Sequence, residues 1–127
     1  MPTEQDDQFA RKVVDELRHG DFAALDKVSG PELKTAEAKA NIKPLQALFP
    51  ASEPLSVKRG SWRANTNIGQ PPVLMLEEDY DYPDRTVAAT VTMSANDGPN
   101  DWIVRGIHVN DTYKAPESSA EAKPAKS

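Results

Sequence analysis

The chain contains no cysteine, which removes disulfides, thiolate metal ligands and thiol nucleophiles together. It has no run approaching the ~18 consecutive apolar residues of a membrane-spanning helix. Positive charge is in short supply: 15 Lys and Arg stand against 20 Asp and Glu, a net charge of −5, and the pI is about 5.0. Phosphate backbones and anionic membrane surfaces both select clustered Lys and Arg, so neither nucleic acid nor a membrane is an expected partner. Aromatic residues make up only 6%, and a core draws on most of them. No serine lies in a Gly-x-Ser-x-Gly setting, and the two histidines, His19 and His108, are isolated. Without cysteine they do not make a zinc site, and no cofactor is implied. The start, Met1 to Gln8, is acidic and polar, the reverse of a signal peptide's layout. The expected location is therefore the cytoplasm, or an exported compartment after removal of a signal.

What is present has a clear order. A length of 127 residues suits one domain. Phe9, Val13 and Leu17 recur at four-residue steps with Val14 beside them, which predicts an amphipathic helix. Thr3 and Asp6 have capping-box spacing, Arg18 and His19 suit the last turn, and Gly20 is the stop. Asp21 is placed to cap a short second helix carrying Phe22, Leu25 and Val28. Pro31 opens a third, with Leu33, Ala36, Ala40 and Ile42 at helical spacing. Pro44 either kinks it or sets apart a final turn holding Leu45, Leu48 and Phe49.

After Pro54 the period changes from about 3.6 to 2. Four strands are predicted: Leu55 through Trp62 with a bulge at Gly60, Val73–Tyr82, Thr86–Ala95, and Trp102 to about Asn110. Pro83-Asp84 and Asn96 to Asn100 form the two turns of a meander, and the first strand pairs at one edge. From Lys114 the composition is Ala, Pro, Glu, Ser and Lys without apolar periodicity, so residues 114–127 are expected to be a disordered tail on a domain of residues 1–113.

The fold class is thus α+β, two or three N-terminal helices on a curved four-stranded antiparallel sheet. Gly20-Asp21-Phe22 at the end of a long first helix, and a last strand reading Trp102-Ile103-Val104-Arg105-Gly106-Ile107-His108-Val109, make the chain resemble the NTF2-like, or cystatin-like, superfamily. That resemblance covers roughly Phe9 to Tyr113. It implies a cone with a pocket between helices and sheet, in a superfamily that spans isomerases, dehydratases, cyclases, transport adaptors and binding domains, so shape does not supply function.

Strand parity supplies the candidates. Leu74, Leu76, Glu78, Tyr80 and Tyr82 share one face of the second strand, and Ile103, Arg105, Ile107 and Val109 one face of the fourth. Glu78 and Arg105 are therefore catalytic candidates, a general base and an anion anchor; the alternative is a structural ion pair. Trp62, Tyr80, Tyr82 and Trp102 are candidate ligand-binding residues, since aromatic walls with few polar groups typify ligand sites; the alternative is core packing. The acidic run Glu77 to Asp84 alternates between faces and is read as a solvated strand end, not a cation site. Lys58, Arg59 and Arg63 read as a surface patch. The leading expectation is a non-enzymatic binding or accessory module for a small molecule or a protein partner. The alternatives are a small lyase or isomerase with Glu78 as base, and a homodimer built across the open sheet.

Overall fold

The computed structural model describes residues 1–96 and 101–115. Residues 97–100 of the second expected turn, and 116–127 of the expected tail, lie outside the described residues. The chain runs through α1 (Glu4–Arg18), α2 (Phe22–Lys27), a 3-10 turn (Pro31–Leu33), α3 (Ala36–Ile42) and a second 3-10 segment (Lys43–Leu48). Strands β1 (Ser56–Asn65), β2 (Val73–Asp81), β3 (Arg85–Ala95) and β4 (Trp102–Tyr113) follow. They form an antiparallel sheet in the order β1-β2-β3-β4, so each strand pairs with its sequence neighbour. This is an α+β fold with helices on one face of an open sheet.

The helix boundaries follow local chemistry. Thr3 Oγ1 accepts from the Asp6 amide at 3.2 Å while Asp6 Oδ2 accepts from the Thr3 amide at 2.9 Å, which completes the capping box. Gly20 adopts φ +76° after the C-terminus of α1, a conformation that favours glycine. Asp21 caps α2 through the Ala24 amide. The third expected helix divides instead: Pro31 starts only a 3-10 turn, and Thr35 caps α3 separately through the Ala38 amide at 3.1 Å. Ala36 and Ala40, expected to face inward, are exposed, and only Ile42 of α3 is buried. The restart at Thr35 rotates the alanine stripe away from the core.

Helix α1 lies over the inner sheet face and buries Ala10, Val13, Val14 and Leu17 there. The sheet answers with Leu74, Leu76 and Tyr80 of β2, Val87, Ala89, Val91 and Met93 of β3, and Val104 and Val109 of β4. The outer face carries no helix. Much of it is polar and at least partly exposed, as at Lys58, Glu77, Asp79, Thr90, Thr92 and His108, with Met75 also exposed there, as expected for an antiparallel sheet with one solvated side.

Two bulges re-aim side chains. In β1 the register shifts between Arg59 and Trp62, so that Arg59 pairs with Glu78 and Trp62 with Leu76. Gly60 and Ser61 together oppose Glu77, and both Arg59 and Trp62 reach the inner face. In β4 the register shifts opposite Thr92 and Met93, which pair with Gly106 and Val104. Arg105 is the extra residue. Beside it, Val28 and Gly30 extend the sheet edge: the Val104 amide donates to Val28 O and the Gly30 amide to Val104 O, both at 2.8 Å.

Candidate functional site

Four charged side chains meet beneath the first turns of α1. Glu78 points from β2 into the interface, as its parity predicts, and is fully buried. Arg11 donates its Nε–H to Glu78 Oε1 at 2.7 Å. Asp7, one turn earlier on α1, is held by Arg59 of β1 through Nε at 3.0 Å and Nη2 at 2.6 Å, a two-pronged guanidinium–carboxylate pair. Glu78 Oε2 is buried and accepts no hydrogen bond.

Burial pushes the Glu78 carboxyl up to about 7, with the neighbouring Asp7 adding to the rise and Arg11 opposing it. Asp7 moves the other way: its bond to Arg59 holds it below the usual carboxylate range against its own burial. Like charges at close range cannot both be cheaply ionised, so the pair divides its roles, Asp7 as the carboxylate and Glu78 as the group that takes the proton.

The expected partnership of Glu78 with Arg105 is not formed. The β4 bulge turns Arg105 away from the inner face, where it donates to Ser94 Oγ at 2.9 Å and to both oxygens of Glu32, at 2.9 and 3.1 Å. Parity reasoning assumed an unbroken strand, and one extra residue reverses it.

The four aromatic candidates separate into two pairs. Tyr80 and Tyr82 are fully buried in the core. Tyr80 stands edge-on to Phe49, with centroids 5.7 Å apart and planes at 87°. Its hydroxyl donates to Arg11 O at 3.5 Å. Burial raises both phenols. These two tyrosines pack the core and do not line a cavity among those described. Trp62 and Trp102, from strands at opposite edges of the sheet, instead line one cleft of about 160 Å³ at the open end of the inner face. Pro2, Ala64, Pro72 and Leu74 complete much of its wall. Trp62 is 43% exposed. Trp102 is fixed by its indole Nε1–H, which donates to Asp6 Oδ1 at 2.9 Å.

Adjacent carboxylates on α1 thus reach opposite sheet edges, Asp6 to β4 and Asp7 to β1, and anchor the helix across the sheet. Comparison with known proteins finds no family model, no curated protein and no solved structure that matches this chain. The site is therefore interpreted from its own geometry.

Glu78 lines neither this cleft, nor the hollow between α2 and α3, nor the groove along the outside of α1. His19 lies 3.6 Å from Glu53 at the surface, and His108 is exposed on the outer face. Among the described residues no group of three or more His, Cys, Asp or Glu is arranged to hold a metal ion, and no helix is long and apolar enough to cross a membrane.

Asp7, Arg11 and Arg59 were not singled out by sequence reasoning as site residues. A signal for Asp7 did exist, because it precedes Ala10 and Val14 by three and seven residues and so shares their buried stripe. Arg59 had one as well, since it shares the parity of Val57, two residues earlier and ahead of the expected bulge, but as a charged residue it reads as part of a surface patch.

Proposed function

We propose that this chain is a non-enzymatic binding module of NTF2-like or cystatin-like shape that holds a protein partner through the Trp62–Trp102 cleft. The observation that carries the reading is Trp62 itself: a large aromatic side chain on the inner sheet face, left 43% exposed beyond the part of that face which α1 and the 3-10 segments pack against. Tryptophan in such a position is the residue type most enriched at binding hot spots. The cleft, about 160 Å³, falls below the ~300–1,000 Å³ of small-molecule pockets and is close to the ~150 Å³ that accepts a single benzene. It suits one apolar side chain delivered by a partner better than a free metabolite. The alternative reading of Glu78 as a general base lacks a solvent path, since that carboxyl is sealed between α1 and the sheet.

The test titrates the N-acetyl amides of Phe, Leu and Trp into isotope-labelled protein and follows the two indole N–H signals. Saturable shifts at both indoles, lost in Trp62→Ala with the remaining spectrum intact, are the expected result. Silence at both indoles, or shifts that persist in the Trp62→Ala variant, would overturn the reading.

A further inference from the structure

A second cavity lies on the other side of the molecule, between α2, the Pro31–Leu33 turn and α3, with a volume of about 340 Å³. Its origin is legible in the residues around it. From α3 the walls are Lys39, Ile42 and Lys43, and from α2 they are Phe22, Ala23, Leu25 and Asp26, of which Ala23 is too short to fill the space between the helices. Leu25 and Ile42 form a buried floor, while Phe22 and Leu33 remain only half-buried beside it. The hollow is thus an apolar surface that the chain's own side chains leave partly wetted.

The mouth is cationic although the chain carries a net charge of −5. Lys39 and Lys43 both stand in its lining. Lys39 Nζ lies 3.4 Å from Asp26 Oδ1, an ion pair that links α3 to α2 across the opening. Lys43 makes no ion pair with any described residue. Lysine stems lie readily along apolar surface while their ammonium groups stay hydrated at the edge. The arrangement therefore offers an apolar chamber with two ammonium groups at its entrance, one of them held by a carboxylate that an incoming anion would displace.

From this geometry we propose that the hollow binds an amphiphilic anion, an alkyl chain ending in a carboxylate, with the chain against Phe22, Leu25, Leu33 and Ile42 and the carboxylate between Lys39 and Lys43. The volume falls within the ~300–1,000 Å³ range of small-ligand sites. It is roughly twice the ~150 Å³ that accepts one benzene, which sets the chain at about ten carbons. A cationic amphiphile of the same length meets repulsion at the mouth, and an uncharged one forgoes both ammonium contacts. This site is separate from the tryptophan cleft, and neither proposal depends on the other.

The experiment titrates decanoate, decanol and decyltrimethylammonium, each below its micelle concentration, into the full isotope-labelled chain. Decanoate is expected to shift Phe22, Leu25, Leu33 and Ile42 saturably and to bind at least tenfold more tightly than the other two. Replacing both lysines, Lys39→Gln with Lys43→Gln, is expected to weaken decanoate by tenfold or more while leaving thermal unfolding and decanol binding unchanged. The proposal is overturned if these four residues do not respond, if the three head groups bind equally, if the lysine variant binds decanoate as the original does, or if shifts appear only at Trp62 and Trp102.

Discussion

Replacing Glu78 with glutamine isolates the buried carboxyl in a single measurement. In the folded chain its pKa is about 7 against an ordinary 4.5, so between those values the native state holds a proton that the unfolded chain has released. Stability then falls as pH rises through that window, and the loss is complete above about 7. At ~1.4 kcal/mol per pH unit, the rise from 4.5 to about 7 is worth about 3 kcal/mol. The amide of Glu78→Gln keeps the shape and can still accept from Arg11, but it does not titrate. Asp7 is held low by Arg59 and so stays ionised across the window in both proteins. Asp79, pushed up to about 6 by its own burial and by Glu77, faces away from the inner cluster and contributes equally to both. Urea unfolding from pH 4.5 to 8 should therefore show the original chain losing about 3 kcal/mol relative to the variant, close to 1.5 M in midpoint at a slope of ~2 kcal/mol/M. Parallel stability curves, or an original chain that gains on the variant as pH rises, would refute the assignment of the proton to Glu78.

Two further changes test the local architecture. Gly20→Ala forces a side chain onto a backbone at φ +76° and brings its Cβ within 2.9 Å of Gln46 Nε2. It should cost about 1 kcal/mol or somewhat more in thermal or urea unfolding. Thr3→Ala removes the hydroxyl that accepts from the Asp6 amide and should cost about 1 kcal/mol. Its effect should also appear as faster amide exchange in the first turn of α1, where Asp6 and Asp7 anchor to the sheet.

Much of the framework is legible in the sequence. The capping box at Thr3 and Asp6, the stop at Gly20, the cap at Asp21 and the change of period after Pro54 are local signals, each set by a few adjacent residues and their own backbone bonds. The meander of β2, β3 and β4 also followed from the turns expected between them, while the edge at which β1 pairs, beside β2, was left to the tertiary structure. Glu78 was placed on the inner face correctly, since β2 runs without interruption and its side-chain period of two holds along its length.

What escaped the sequence was mainly the consequence of two bulges, the one expected at Gly60 and the unexpected one at Arg105. A bulge is one extra residue in a strand, and it reverses the facing of whatever follows. At Gly60 and Ser61 that brought Arg59 and Trp62 to the same face, one to hold Asp7 and the other to line the cleft. At Arg105 it turned a presumed partner of Glu78 outward to Glu32 and Ser94. The sequence by itself determined that this chain forms helices followed by a sheet, and where most of those elements begin and end. Only the tertiary structure decided which charges meet, because that choice depends on how α1 lies across the sheet and on two local slips in strand pairing.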